Sequence, residues 1–255
     1  MPAISVIVPS YNDAVMLHRC LSALSRQTRM PDEIVVVDNG SSDSTAEVAR
    51  SFGAKVVTEF RRGIPQATSA GFDAATGDLL GRLDADSVPP SNWVARVVAA
   101  FDRDPDLDAL SGPGRYYGGS EAIHWFAETF YIGTYSNVVS HVLGHDVLFG
   151  SNLAIRASAW KVLRERVHRN LRWVHDDLDL AINLAPGMGV RFDRTLVVDV
   201  SARPFDSWSS LGHRVQMALD TFAINHREHS LWDRRREWIE ASRRDHEDPG
   251  WLSFR

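Results

Sequence analysis

Apolar runs and polar breaks alternate through the first hundred residues. Residues 4–8 (ISVIV) form a continuous β-branched run, the pattern of a strand buried on both faces. Pro9-Ser10-Tyr11-Asn12 stops it, and residues 14–27 then place Val15, Leu17, Leu21 and Leu24 near one helical face, with Asn12 or Asp13 available as N-cap. A second buried strand is predicted at 34–37. It ends in the polar loop Asp38-Asn39-Gly40-Ser41-Ser42-Asp43-Ser44, before a helix at 45–52. The pattern repeats with a strand at 55–57, a helix at 65–75, a strand at 78–83 and a helix at 91–101 after Pro89-Pro90.

Strands alternating with helices of this length imply right-handed crossovers and a mainly parallel central sheet flanked by helices, the α/β class. Ligands of such sheets bind beyond the carboxyl ends of the strands. Three polar segments fall there: residues 9–12, residues 38–43, and Asp84-Ala85-Asp86-Ser87.

Composition narrows the picture. With 255 residues, 44% of them hydrophobic, the chain has material for one large core or two fused halves, and disorder is excluded for most of it. The 28 basic and 33 acidic residues give a net charge of −5, so no nucleic-acid partner is expected. The lone Cys20 excludes an intrachain disulfide and a cysteine-rich zinc site, and fits a cytoplasmic location. The start lacks the basic region of a secretory leader, so none is expected.

Asp84 and Asp86 flank Ala85 after an apolar strand, and in extended geometry residues two apart point to one side. Two carboxylates held that close repel unless a cation compensates them. A hard divalent ion, Mg²⁺ or Mn²⁺, is the natural occupant.

The chain resembles family 2 glycosyltransferases of the GT-A fold. The resemblance runs through Val6-Ile7-Val8-Pro9-Ser10-Tyr11-Asn12, Val36-Val37-Asp38-Asn39-Gly40-Ser41-Ser42-Asp43 and Arg82-Leu83-Asp84-Ala85-Asp86. Further on, Gly150-Ser151-Asn152-Leu153-Ala154-Ile155-Arg156 is similar to the family's acceptor-side segment, and His175-Asp176-Asp177 to its Glu-Asp motif with Asp in the first place. This implies a Rossmann-like GT-A catalytic domain over 1–205, with a nucleotide-sugar half (1–103) and an acceptor half (104–205), followed by a helical extension at 206–255.

The resemblance also implies roles. Pro9, Tyr11 and Asn12 would line the base pocket, Asp38 would bond the base or ribose, and Ala85 would lie against the donor. Asp84 would contact the ribose or the metal, and Asp86 would be the direct metal ligand. Asp177 would take the proton from the acceptor hydroxyl and Asp176 would orient it. Asp177 has a second reading, as N-cap of a helix at 178–184. The family often carries Ala-Arg-Asn-x-Gly where this chain has Ala67-Thr68-Ser69-Ala70-Gly71, so the donor's positive charge falls to Arg61, Arg62 or Arg82, with Arg62 preferred. The absence of a Gln-x-x-Arg-Trp segment after Asp177 implies a non-processive enzyme. His213 is read as a metal ligand or a surface residue, and Arg203 as a phosphate contact or a solvated side chain.

The expected activity is metal-dependent, inverting transfer from a nucleoside-diphosphate sugar, UDP favoured, to a carbohydrate or lipid-linked acceptor. The rivals are a nucleotidyltransferase, which lacks its Gly-rich basic loop here, and a non-catalytic sugar- or lipid-binding protein. Trp125, Phe126, Phe130, Tyr131, Tyr135 and Phe149 are either core or an acceptor and lipid contact. Two helices are predicted over 207–244, and the seven arginines and seven acids over 226–255 balance, which fits packing on the catalytic domain or in a homodimer better than a polybasic anchor; peripheral membrane contact is the alternative.

Overall fold

The computed structural model describes residues 1–118, 136–203 and 208–247. Its first half follows the predicted alternation: β1 (Ile4–Ser10), α1 (Ala14–Leu24), β2 (Glu33–Asp38), α2 (Thr45–Ser51), β3 (Lys55–Thr58), α3 (Ile64–Ala74), β4 (Leu79–Arg82) and α4 (Trp93–Arg103). The second half adds β5 (Leu107–Ser111), β6 (Gly114–Tyr117), α5 (Ser136–Leu143), β7 (Leu153–Arg156), α6 (Ala157–Leu163), α7 (Asp176–Asn183), β8 (Gly189–Phe192), β9 (Val198–Ser201), α8 (Trp208–Glu228) and α9 (Leu231–Glu247).

Period-two alternation along the central strands divides the core between the two sheet faces. Ile4, Val6, Val8 and Val36 pack with Leu17, Leu21, Trp93 and Phe101 of α1 and α4. Ile7, Val35 and Val37 pack on the other face with Ala67, Phe72, Trp160 and Leu178 of α3, α6 and α7. Each such fully buried Val or Ile contributes roughly 1.5–3 kcal/mol of hydrophobic stabilisation.

The seven-stranded sheet has the order β3-β2-β1-β4-β7-β5-β8. From β1 the chain moves outward through β2 to β3, then returns to β4 on the opposite side of β1, with all these pairs parallel. The strand order thus reverses at β1, and the carboxyl ends of β1 and β4 lie side by side at this switch point, where ligands bind in open α/β sheets. A two-stranded parallel sheet, β6-β9, stands beside it.

The structure departs from the sequence expectation in particular places. β7 runs antiparallel to both β4 and β5, and neither it nor β5, β6 and β8 was marked by periodicity, since four or five residues are too few to show one. Helix α1 stops at Leu24 because buried Gln27 takes over: its amide nitrogen donates to the carbonyls of Ala23 and Pro90, and its oxygen accepts from Val94 N–H at 2.9 Å. The aromatic residues 125–135 singled out above lie outside the described residues, as do 248–255. Among the described residues no helix is long and apolar enough to cross a membrane.

The two C-terminal helices are tied to the rest by polar as well as apolar contacts. Asn225 on α8 donates to Asp179 Oδ1 of α7 at 2.8 Å and accepts from Asn183 at the same distance, all three being buried. Trp238 on α9 is buried against the His145 ring, centroids 4.3 Å apart, and Arg235 Nε donates to the His141 carbonyl of α5 at 2.8 Å.

Candidate active site

The crevice between the ends of β1 and β4 is a cleft of about 610 Å³. Of the residues singled out in the sequence, Pro9, Tyr11, Arg62, Asp84, Ala85, Asp86, Asp176 and Asp177 line it, joined by Arg82, Phe149 and His213. Asn12 and Asp38 do not line it; they shape its rim. Asn12 adopts a left-handed backbone with φ of 48°, and its side-chain oxygen accepts from Ser42 N–H at 2.7 Å. Asp38 accepts from Ser41 N–H at 2.9 Å. Asn12 therefore braces the loop after β2 against the loop after β1, while Asp38 closes the turn of its own loop.

Asn39 has a larger role than its place in the motif suggested. Buried, it donates to the carbonyls of Glu59 and Arg61 and accepts from Gly63 N–H, so it builds the turn that presents Arg62. The Arg62 guanidinium lies over the Tyr11 ring, 3.0 Å from its centroid, a cation–π contact that fixes both at the mouth.

The acidic residues form two groups joined by a cation. Arg82, 3% exposed at the end of β4, reaches Asp84 Oδ1 at 2.8 Å and Asp176 Oδ2 at 3.2 Å. The second Asp84 oxygen accepts from the Ser151 hydroxyl. Asp176 also accepts from Thr68 Oγ1 at 2.9 Å. Thr68 belongs to the segment where the resemblance expected an arginine, and the buried Arg82 at the end of β4 pairs with Asp84 and Asp176.

Asp177 is not the N-cap of its helix. α7 begins two residues earlier than expected, at Asp176 with His175 in the cap position, and the Asp177 carboxylate turns to meet His175 Nδ1 at 2.5 Å and to accept from Gly150 N–H at 2.8 Å. Burial pushes the Asp177 carboxyl upward, but the His175 charge and hydrogen bond, the Arg82 charge and the Gly150 N–H outweigh it, holding the group well below the ordinary carboxylate range. Burial pushes Asp176 upward, with the Asp177 charge adding and Arg82 opposing. Burial depresses His175, yet its aspartate neighbours more than reverse that and raise it. His175, which the sequence reading passed over, is thus Asp177's principal partner; its only signal was its place beside the acidic pair.

Asp86 is the carboxylate short of compensation. Burial and the neighbouring Asp84 charge raise it to about 6, against the opposing pull of Arg203. Arg203 bridges Asp86 at 3.3 Å and Asp13 at 3.0 and 2.7 Å. Asp13, expected only as a helix cap, makes no capping hydrogen bond and lines the cleft instead. A carboxylate raised by burial and by the neighbouring Asp84 charge, with a guanidinium drawn onto it, is a donor that fits a divalent cation. Among the described residues, one trio of potential ligands, His175, Asp176 and Asp177, has its atoms within 4.8 Å of one another, but these already compensate each other and Arg82.

Comparison with known proteins agrees with this geometry. The family model described as glycosyl transferase family 2 matches residues 5–171, and the chain belongs to that family. It is 36% identical over 109 residues to the glycosyltransferase AglE of Haloferax volcanii, covering 40% of this chain and 36% of that protein. It is 35% identical over 118 residues to a PGL/p-HBAD biosynthesis glycosyltransferase of Mycobacterium bovis, covering 44% and 46%. The matches thus span about half or less of these relatives. In three dimensions it is similar to the mannosyltransferase PcManGT of Pyrobaculum calidifontis, solved with GDP-Man and Mn²⁺, at a TM-score of 0.68, 23% identity and coverage of 96% of this chain and 75% of that one. It is also similar to glucosyl-3-phosphoglycerate synthase of Mycobacterium tuberculosis, solved with Mn²⁺, UDP-Glc and phosphoglyceric acid, at 0.63, 18%, 88% and 79%. The fold is of the GT-A type.

Proposed function

We propose that this chain is a metal-dependent, inverting, non-processive glycosyltransferase that moves a sugar from a nucleoside-diphosphate sugar to an acceptor hydroxyl, carbohydrate or lipid-linked. The observation that carries the reading is the placement of Asp84 and Asp86 on one wall of the switch-point cleft and Asp176 and Asp177 on another, with Arg82 between them.

The base and ribose of the donor lie in this reading against Pro9 and Tyr11, in the rim braced by Asn12 and Asp38, with Arg62 over Tyr11 as a phosphate-facing cation. Asp86, assisted by Asp84, holds a divalent ion, Mn²⁺ or Mg²⁺, which when bound supplies positive charge to the departing diphosphate. Asp177 Oδ takes the proton from the acceptor hydroxyl as that oxygen bonds to the anomeric carbon from the face opposite the diphosphate. The carbon–oxygen bond to the diphosphate breaks, which inverts the centre. Being held ionised, Asp177 is ready to accept that proton across the neutral range. His175 and Gly150 hold the carboxylate in place, so its geometry is set before substrate arrives.

The test is a thermal-unfolding and calorimetric screen of UDP, GDP, CDP and dTDP, each with and without Mn²⁺, on wild type and Asp86→Ala. Metal-dependent stabilisation by one nucleotide, expected to be UDP, and its loss in Asp86→Ala support the donor site. Equal affinity with and without a chelator defeats the metal assignment, and silence from all four nucleotides defeats the donor assignment.

A further inference from the structure

The cations of this protein fall into two sets. Two at the cleft are spent on carboxylates: Arg82 on Asp84 and Asp176, and Arg203 on Asp13 and Asp86. Among the described residues lining the cleft, Arg62, Arg172 and Arg214 are the arginines without a carboxylate partner. Arg62 is engaged with Tyr11 on the donor wall. Arg172 and Arg214 stand on the acid–base side. Arg214 sits on α8 close enough for its charge to bear on His175, the partner of Asp177. Arg172 precedes His175 by three residues of non-helical chain, and its Cβ lies where an added Cβ on Gly63 would come within 3.1 Å, beside the turn that carries Arg62.

Helix α8 is tied to the segment that carries His175. His175 N–H donates to Thr221 Oγ1 of α8 at 2.9 Å, and Thr221 in turn donates to the Met217 carbonyl at 2.6 Å. His213, Arg214, Met217 and Thr221 therefore present one face of α8 to the segment bearing Arg172 and the acid–base residues.

Charge balance then separates donor from acceptor. A diphosphate bound to a divalent cation is already close to neutral, and Arg62 stands beside it. Two further guanidiniums that line the proton-accepting side, neither paired with a carboxylate among the described residues, are placed to meet an anion on the acceptor, and guanidinium is the group best suited to phosphate or carboxylate. Resting on the glycosyltransferase reading above, we infer that the acceptor hydroxyl compound carries a phosphate or comparable anionic group, and that Arg172 and Arg214 hold it while its hydroxyl faces Asp177. Such a group comes from a soluble phosphate ester or from a lipid phosphate at a membrane surface; the recognition chemistry is the same.

The test titrates glycerol 3-phosphate, and uncharged glycerol, into the protein with and without saturating UDP and Mn²⁺. In parallel the protein is sedimented with phosphatidylcholine vesicles with and without phosphatidic acid. Wild type is compared with the double variants Arg172→Gln/Arg214→Gln and Arg172→Lys/Arg214→Lys, whose folding is checked by circular dichroism. The expected result is that at least one phosphate probe binds while its uncharged counterpart does not. Its affinity should fall by about tenfold or more in the Gln pair and recover in part in the Lys pair. Binding of the soluble ester marks a soluble acceptor and binding of the doped vesicles a lipid acceptor; either supports the inference. It is overturned if charged and uncharged probes behave alike, if neither phosphate probe binds, or if the Gln pair binds as wild type does. It is equally overturned if the Gln pair loses UDP as well, since the arginines would then serve the donor. Failure of the donor reading shows separately, as absence of UDP binding in wild type.

Discussion

Arg82 Nη2 stands 3.2 Å from Asp176 Oδ2, with both side chains nearly closed to solvent, at 4% and 11% exposure. This pair joins the end of a central strand to the first turn of the helix that carries the proposed base. The same guanidinium nitrogen reaches Asp84, so the two acidic halves of the cleft share one buried positive charge. Removing one partner of a buried ion pair leaves uncompensated charge and costs about 3–5 kcal/mol. Arg82→Met is therefore expected to lose stability on that scale in urea unfolding, and Asp176→Asn added to it to recover part of the loss, as a double-mutant cycle reads directly. A cost below about 1 kcal/mol, the size typical of exposed pairs, would show that the pair carries little of the site's integrity.

Gly150 explains how these groups come so close. A Cβ at this position would overlap the Arg82 guanidinium and come within 3.1 Å of Asp177 Oδ2. Gly150→Ala is expected to displace both, with an overpacking cost of about 1–3 kcal/mol and a fall in transfer larger than any fall in nucleotide affinity. Unfolding measured beside single-turnover assays separates the two effects; a variant equal to wild type in both would mean that the close approach is dispensable.

Asp177→Asn keeps the shape of the side chain and removes its ability to take a proton. Donor binding is expected to persist, with turnover reduced by roughly 10²–10⁴-fold. Calorimetry with UDP and Mn²⁺, followed by product formation from the matching donor, tests this. Undiminished turnover would remove Asp177 from the role of base and direct attention to His175.

His168 links the segment before α7 to the C-terminal helices. It meets Asp179 Oδ1 at 2.8 Å and Glu228 Oε1 at 3.0 Å. The Asp179 hydrogen bond raises its pKa from the ordinary 6.5 to about 9, with burial opposing and Glu228 assisting. A histidine raised on folding binds a proton more tightly in the native state. Its contribution is therefore complete below about pH 6.5 and is lost as pH rises through about 9. Unfolding midpoints should decline across that window, and His168→Gln should remove this part of the slope. Identical pH dependence in the two proteins would assign the linkage elsewhere.

Much of the donor half was legible in the chain because its physics is local. Continuous β-branched runs mark strands covered on both faces, and polar breaks at their carboxyl ends mark where a parallel sheet opens to ligand; Pro9, Tyr11, Asp84 and Asp86 were placed in that way and line the cleft. The acidic pair at 176–177 was likewise visible as a motif, although its alternative use as a helix cap was settled only when the Asp177 carboxylate proved to face His175 and Gly150.

The amino-acid sequence by itself determined the α/β alternation, the family and the cluster of acidic residues, because each depends on spacing along one strand, one helix or one loop. The tertiary structure alone decided that β7 inserts antiparallel beside β4, that Arg82 joins Asp84 to Asp176, and that Arg172 and Arg214 line the cleft without a carboxylate partner among the described residues. Whether a charge is compensated depends on distance through space between elements far apart in the chain, and periodicity carries no record of that distance.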